Sequence, residues 1–439
     1  MKKLKNDIKW ISLQPLTGGM YLGFANAIGH DAECIISYAG LNDHKEGKIK
    51  GSRGHSGNEY NLTNYLRKHN RIVPRYEFDE QKMFDMKNIN EVIVKPDSFT
   101  EDITVSFDDI DIVCSVPVCS GLSALTTTDS DDKETKNCNM KFLAEYALTV
   151  IKPKIYIFEN APGFMSAKGD VLRNWFETFA STHGYSVTYF KTDTKYHYNC
   201  QRRPRTFVMF VKWTEDGLWE RSPETPFWED EQLNIKEMLN SIPSDATLQD
   251  SLPVDLYENV TTMEYAKEKW PDKWRDMFQG DVVNKIIRMN MLDDFRDWCN
   301  ARTGKFYQRM VKHIDHIEES LANGKGWWSA TPRYYPEQMA AVQSRTIYAT
   351  IHPTEDRLCS ERDTMTFMGL PYDFEMQGEF MSDGPKIGQN VPVKTAEWIA
   401  NIAIKTLDMI DDERKLYIPA ETPHQGARFY DNTIKKVVY

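Results

Sequence analysis

The sequence lacks the features of several protein classes. Its seven cysteines are scattered without a CxxC pair, so neither a zinc site nor a disulfide framework is indicated. No apolar run approaches the ~20 residues that span a bilayer, and the N-terminus has no signal-peptide apolar core. No internal repeat or low-complexity tract is evident. We therefore expect a globular chain in a reducing, cytoplasmic compartment, with no membrane contact.

What is present is a chain of 439 residues with 41% hydrophobic content, long enough for two domains. In its first half, apolar strand-like segments alternate with helical ones. We predict strands at 9–14, 32–38, 111–116, 155–158, 185–190 and 206–212, and helices at Met20–Ile28, Met140–Ile151 and Val171–His183. Such alternation with short turns predicts an α/β fold with a doubly wound, mostly parallel sheet.

Reactive side chains stand at the ends of these predicted strands. Cys119 lies at the tip of a small-residue turn after one strand, and Glu159 follows the next. Arg203 and Arg205 come directly before another strand. Because the ends of sheet strands border one crevice, a thiol, a carboxyl and guanidinium groups can converge there. This set suits nucleophilic chemistry on a ring that needs a thiolate and a hydrogen-bonded acid.

In this order the segments resemble the DNA cytosine-5 methyltransferase family, whose signatures are a Pro-Cys loop, Glu-Asn-Val and Gln-x-Arg-x-Arg. Residues 357–374 look like the family's penultimate motif, and 387–392 look like its last. The resemblance covers roughly residues 9–210 and 344–405. It implies a Rossmann-like methyltransferase fold with an inserted target-recognition domain.

The inserted domain shows in the composition. From about Asp216 the sequence becomes acidic, rich in tryptophan and helix-leaning, and it stays so to Leu321. We place the target-recognition domain at 213–343, between the first part of the catalytic domain, 1–212, and a returning C-terminal segment, 344–439.

The resemblance implies a role for each reactive residue. Cys119 would add to C6 of cytosine, which makes C5 nucleophilic toward a one-carbon donor. Glu159 would hydrogen-bond the N3 and amine edge, Arg205 the O2 edge, and Arg203 would support Glu159 or the loop that carries Cys119. Since a stacked base cannot enter such a site, the cytosine must be flipped out of the DNA duplex.

The donor side departs from the family. Its first motif, Asp-x-Phe-x-Gly-x-Gly-Gly, matches residues 12–19, which keep only the last two glycines. Ala39 and Gly40 stand where the family has an acid for the donor's ribose and a bulky residue under its adenine. S-adenosylmethionine remains the donor that the family implies. The candidate donor-binding residues are Gly18, Gly19, Asp102, Gln389, Asn390 and Val391.

Two alternatives stay open. Methylene-tetrahydrofolate would give 5-hydroxymethylcytosine, with water completing the transfer, because the same thiolate addition precedes folate-dependent transfer to free pyrimidine nucleotides in an unrelated enzyme family. The other alternative is a DNA-binding relative that catalyses nothing.

The net charge of −11 is unusual for a DNA-binding protein, but phosphate contacts need only local positive patches. Basic clusters lie between Lys45 and Arg75 and between Lys195 and Arg205. We expect a monomer that acts on double-stranded DNA in a bacterial cell or phage-infected host, with RNA a lesser alternative. The candidate DNA contacts are Arg53, Ser123, Gln201, Trp327 and Arg333.

Overall fold

The structure is a computed structural model, and it describes most of the chain. The described residues are 5–38, 58–78, 94–96, 106–117, 122, 139–213, 218–220, 233–240, 257–280, 282–325, 332–342, 350–376, 380–410, 417–419, 428–431 and 436–438.

Ten of the strands form one sheet. The strands are β1 (Trp10–Leu13), β2 (Cys34–Tyr38), β3 (Arg75–Phe78), β4 (Val94–Pro96), β5 (Ile112–Ser115), β6 (Ile155–Asn160), β7 (Tyr185–Asp193), β8 (Gln201–Arg202), β9 (Pro204–Lys212), β10 (Leu218–Glu220), β11 (Met339–Ala340), β12 (Tyr417–Pro419), β13 (Arg428–Asp431) and β14 (Lys436–Val438). The sheet order is β14-β13-β7-β9-β6-β5-β1-β2-β3-β4.

The pairing in this sheet is mostly parallel at its centre. β1 pairs in parallel with both of its neighbours, β2 and β5. β2 also pairs in parallel with β3, and β5 pairs in parallel with β6. β9 runs antiparallel to both of its neighbours, β6 and β7. This confirms the predicted α/β fold with a doubly wound, mostly parallel sheet.

The helices alternate with these strands and also make up the middle of the chain. They are α1 (Gly19–Ile28), α2 (Asn58–Lys68), α3 (139–151, ending in the π-helical turn Ala147–Ile151), α4 (Asp170–Thr182), α5 (Ile235–Leu239), α6 (Tyr257–Lys269), α7 (Trp274–Met277), α8 (Val282–Arg288), α9 (Leu292–Asn300), α10 (Lys305–Ala322), α11 (Glu361–Phe367), α12 (Phe380–Gln389) and α13 (Val393–Ile410). Short 3-10 helices occupy Lys5–Asp7, Pro162–Met165, Ala167–Gly169 and Thr194–Tyr196.

Apolar side chains cover both faces of the sheet, which explains why the central strands are near-continuous apolar runs. On one face, Phe158 and Phe210 pack with Phe176 of α4 in a large buried cluster. On the other, the Trp10 ring lies 5.1 Å from Tyr21 and 6.0 Å from Phe24 of α1. The sheet is thus a buried platform whose strand ends can carry a site.

The chain divides into two compact units. The first comprises Met1–Gln232, Met368–Gln377 and Gln389–Tyr439, and the second comprises Leu233–Phe367 and Gly378–Gly388. The second unit therefore extends past the boundary at 343 that the composition predicts. The reason is that Ile351 and Leu358 are buried in its own apolar core, together with residues such as Phe295.

Two further findings concern the described part of the chain. No helix there is long and apolar enough to cross a membrane. The described cysteines are all buried and form no disulfide; they are Cys34, Cys114, Cys200, Cys299 and Cys359.

The close packing of α1 against α13 gives a stability prediction. A Cβ on Gly23 would lie 2.5 Å from Ala396 Cβ and 2.6 Å from the Val393 carbonyl oxygen. Gly23→Ala should therefore lower the free energy of unfolding by about 1–3 kcal/mol through overpacking, even though alanine favours a helix by about 1 kcal/mol. Urea unfolding followed by tryptophan fluorescence measures the change.

Asn26→Ala is the matched control, because Asn26 is an exposed position of the same helix. It should shift the free energy of unfolding by no more than about 0.5 kcal/mol. A Gly23→Ala protein as stable as the wild type would contradict the packing described here.

Candidate functional site

The antiparallel pairing of β6 with β9 brings a carboxyl and a guanidinium together. Glu159, near the end of β6, pairs in register with Phe207, and Asn160 pairs with Thr206. The start of β9 therefore lies beside the carboxyl end of β6. There, Arg205 Nε donates to Glu159 Oε1 at 2.7 Å, with the Glu159 side chain 5% exposed and that of Arg205 17% exposed.

The electrostatics of Glu159 are those of a buried acid between cations. Burial raises the pKa of its carboxyl, while the positive charges of Arg205 and Arg203 act in the opposite direction and only partly offset that rise. A carboxyl in this setting holds its proton to higher pH than an exposed one. It can therefore present both a hydrogen-bond donor and an acceptor to a ring edge.

Arg203 links this carboxyl to the C-terminal motif. It is fully buried, its backbone N–H donates to Asp193 Oδ1 at 2.8 Å, and its Nη2 donates to the Asn390 carbonyl oxygen at 2.8 Å. The Asn390 side chain in turn accepts a hydrogen bond from Gly19 N at 2.8 Å. A continuous set of contacts thus joins the arginine segment to the first turn of α1.

Gly19 is required by the packing at this junction. A Cβ on Gly19 would lie 1.9 Å from the Val391 carbonyl oxygen and 2.7 Å from Asn390 Nδ2. Gly18 precedes α1 with φ +115°. Gln389 ends α12 and is half-buried. Five of the six predicted donor-binding residues thus lie together, since Asn390 and Val391 contact the turn formed by Gly18 and Gly19.

The loop between β1 and α1 has an unusual backbone. Gln14 and Leu16 have φ values of +46° and +54°, in the left-handed region that L-residues seldom adopt. In the predicted alignment Leu16 stands where the family's first motif has a glycine, a residue that adopts this region without strain. The Gln14 N–H donates to the Ile36 carbonyl oxygen at 2.8 Å, so the loop is fastened to the end of β2.

Buried polar atoms without a described hydrogen-bond partner lie at these strand ends. They include Gln14 Oε1, Ser37 Oγ and Asn390 Nδ2. A buried polar atom left unpaired costs about 1–3 kcal/mol, so a bound polar molecule would relieve that cost. The set contains both donors and acceptors, so it suits a molecule that carries hydroxyl and amine groups.

Buried contacts of His197 hold the segment that connects β7 to β9. Thr192 Oγ1 lies 2.6 Å from His197 Nε2, and the His197 ring lies 4.7 Å from the Trp398 ring of α13. Burial lowers the pKa of His197 to about 3, so the imidazole is neutral. In the sequence this histidine belongs to a basic cluster with two tyrosines. In the structure Tyr196 and His197 are buried, and Tyr198 alone of these three is exposed.

The comparison with protein families identifies the family of the chain. The sequence model for the C-5 cytosine-specific DNA methylase matches residues 67–405. The chain belongs to this family. It is also 21% identical, over 305 residues, to a protein of Methanocaldococcus jannaschii that is named, provisionally, as a type II methyltransferase. That match covers 68% of this chain and 66% of the relative, just under two thirds of its length.

Solved structures of methyltransferases are similar to the chain at low identity. One is described as a DNA modification methyltransferase encoded within an Escherichia coli prophage, with a TM-score of 0.49, 17% identity, and coverage of 91% of this chain and 99% of that one. The Entamoeba histolytica methyltransferase EhMeth has a TM-score of 0.46 and 11% identity, with coverage of 91% of this chain and 98% of that one. The S. pombe Dnmt2 methyltransferase has a TM-score of 0.45 and 11% identity, with coverage of 91% of this chain and 99% of that one.

The structure brings some of the predicted site residues together and leaves others apart. It brings Glu159 and Arg205 together and connects Arg203 to Asn390. Gln201, predicted to contact DNA, is fully buried, with its Nε2 3.4 Å from Met368 Sδ. Arg333 is exposed in the second unit. The predictions for Arg53, Asp102, Cys119, Ser123 and Trp327 lie outside the described residues.

Two residues that hold the segment carrying Arg203 and Arg205 were not predicted from the sequence. Asp193 Oδ1 accepts hydrogen bonds from the backbone N–H groups of Lys195 and Arg203, and Asn199 Oδ1 accepts one from Gln201 N at 2.9 Å. The sequence signal that could have found them is an Asp or Asn whose side chain accepts from the backbone N–H two residues later, which is the pattern of an Asx turn.

The raised pKa of Glu159 predicts a pH dependence of stability. Because that pKa lies above the ordinary value of 4.5, the wild type loses stability as the pH rises from 4.5 through the raised pKa. Glu159→Gln cannot ionise, so its stability relative to wild type should rise through the same window and stay constant below it. Urea unfolding at a series of pH values measures this difference.

Arg205→Gln extends the same test. Without the neighbouring cation the pKa of Glu159 should rise further, so the pH window should extend upward when Arg205→Gln is compared with the double variant Glu159→Gln/Arg205→Gln. A difference that stays flat over the whole pH range would show that Glu159 titrates as an exposed acid does.

Proposed function

We propose that this protein transfers a one-carbon group to C5 of a cytosine that is flipped out of double-stranded DNA, through a covalent bond between Cys119 and C6. The observation that carries the proposal is the buried Glu159–Arg205 pair at the carboxyl end of β6, with Arg203 held behind it. The family supplies the reaction class, and this pair supplies the groups that handle the base.

The chemistry assigns each side chain a task. C5 of cytosine is a poor nucleophile, and addition of the Cys119 thiolate to C6 converts C5 into an enamine carbon. Glu159, which retains its proton more readily than an exposed acid, donates to N3 and accepts from the exocyclic amine. After transfer, a base removes the C5 proton and the thiolate leaves C6, which restores the ring.

The guanidinium groups support this step without moving protons. Arg205 fixes the Glu159 carboxyl through the 2.7 Å contact, and in the complex it can donate to O2 of the ring. Arg203 is tied to Asn390, and so to the turn at Gly19, which keeps the base-handling and donor-binding segments in register.

S-adenosylmethionine is the favoured donor, and when bound it supplies an electrophilic methyl group. Asn390 and the Gly18–Gly19 turn would hold it, with the buried polar groups of Gln14 and Ser37 as hydrogen-bond partners. The substituted loop at Gln14 and Leu16 is the observation that keeps methylene-tetrahydrofolate as the second candidate donor.

Nucleoside mass spectrometry of cytosine-containing duplex DNA, after incubation with the protein and one donor at a time, tests the donor assignment. We expect a gain of one methyl group with S-adenosylmethionine and no change with methylene-tetrahydrofolate. A hydroxymethyl gain with the folate alone would overturn the donor and keep the base chemistry. No modification with either donor would overturn the proposed function.

Cys119→Ser should abolish modification, a loss on the order of 10⁴-fold or more, because a hydroxyl is a far weaker nucleophile than a thiolate. DNA binding should stay within about twofold, since the change removes no contact to phosphate. Filter binding and the mass-spectrometric assay measure the two effects.

A matched control is Cys114→Ala, because the Cys114 thiol is buried in β5 and burial raises its pKa to about 12. It should leave modification intact. DNA that carries 5-fluorocytosine gives a second readout, since fluorine at C5 cannot leave as a proton and the adduct should accumulate. Modification or adduct formation by Cys119→Ser would exclude the covalent mechanism.

A further inference from the structure

The outer face of α10 carries a row of basic side chains. Met310, Ile314 and Ile317 lie on the inner face and are buried in the core of the second unit. Lys305, Arg309, Lys312 and His316 are all exposed, and their spacing of i, i+4, i+7 and i+11 places them on one side of the helix. At 3.6 residues per turn, that side is opposite the buried one.

The row is unusual because the chain is acidic overall, with a net charge of −11. No acidic residue occurs between Asp297 and Asp315, a stretch that contains the first three members of the row. A solvated helix face of an acidic protein would ordinarily mix both signs. Here the cations are grouped, which produces a local positive potential.

Two of the three acids of α10 pair with an arginine of α9, and the third, Glu319, is exposed and lies beyond the first three members of the row along the helix. Arg296 of α9 pairs with Asp315, Nε to Oδ1 at 3.3 Å, and also with Glu318. These contacts neutralise negative charge that would otherwise lie near the row. Among the residues that the structure describes, neither Lys305 nor Lys312 forms an ion pair.

The dimensions of the row suit a nucleic-acid backbone. From Lys305 to Lys312 the helix advances by about 10 Å at 1.5 Å per residue. One strand of a DNA duplex presents about three phosphates over such a length, since they are spaced about 3.4 Å apart along the axis. Three cations thus face about three phosphates.

We propose that the outer face of α10 binds the phosphate backbone of duplex DNA and holds the second unit on its substrate. The inference rests on the proposed function, which makes duplex DNA the substrate. Arg309 can contact a phosphate through two N–H groups, and Lys305 and Lys312 act as point charges. Such contacts position a protein on DNA without reading its sequence.

The test compares the salt dependence of DNA binding for two charge-matched triple variants. Lys305→Gln/Arg309→Gln/Lys312→Gln removes the three lysine and arginine charges of the row and is called the row variant. Lys236→Gln/Lys273→Gln/Arg288→Gln removes the same charges from exposed positions elsewhere in the second unit. Fluorescence anisotropy with a labelled duplex gives the slope of log K against log salt.

The row variant should reduce that slope by about 2.7, which is about 0.9 for each phosphate that the row no longer neutralises. It should weaken binding by a similar factor for unrelated duplex sequences. The control variant should keep the wild-type slope. Lys305→Arg/Lys312→Arg, which preserves the charges, should also keep it, and circular dichroism verifies that each variant is folded.

Three outcomes would overturn the inference. If the row variant keeps the wild-type slope, or the control variant loses as much, α10 does not bind the backbone, while the proposed function stands. If the row variant loses affinity for a structured RNA and none for DNA, the partner is RNA. If the wild type itself fails to bind duplex DNA, the proposed function falls, and the inference falls with it.

Discussion

The register of β9 between two antiparallel neighbours is the constraint on which the site depends. It sets Glu159 opposite Phe207 and carries Arg205 to the end of β6, where the two charges meet. Side chains alternate across a strand, so a slip of one residue would turn Arg205 to the opposite face of the sheet. The apolar residues that fill β9 therefore fix the geometry of Arg205 at its start.

Burial then sets the character of the charged groups. Water is excluded from Glu159 and Arg203, so each contact between them and their neighbours is stronger than a surface ion pair. Removal of one partner from such a set leaves a buried charge, which is costly. Arg203 is held at two points: the Asn390 carbonyl oxygen accepts from its guanidinium, and the Asp193 carboxyl accepts from its backbone N–H.

Sequence reasoning predicted the central strands and helices well, because strands buried on both faces are long apolar runs. Motif order predicted that Glu159 and the arginines converge, but it gave the support of Glu159 to Arg203, whereas the ion pair is with Arg205. Burial of His197 did not, since a histidine among basic residues has the same pattern whether it is exposed or packed against a tryptophan. The extent of the second unit also escaped prediction, because Ile351 and Leu358 reach its core by contacts that are remote in sequence.

The hydrogen bond from Gly19 to Asn390 joins residues 371 positions apart. During synthesis on a ribosome, Gly19 in the first turn of α1 therefore cannot form this hydrogen bond until Asn390 has been added. The second unit is mainly the continuous segment Leu233–Phe367, so it can become compact earlier. In chain order, the residues of the second unit are therefore synthesised between the two segments that this hydrogen bond joins.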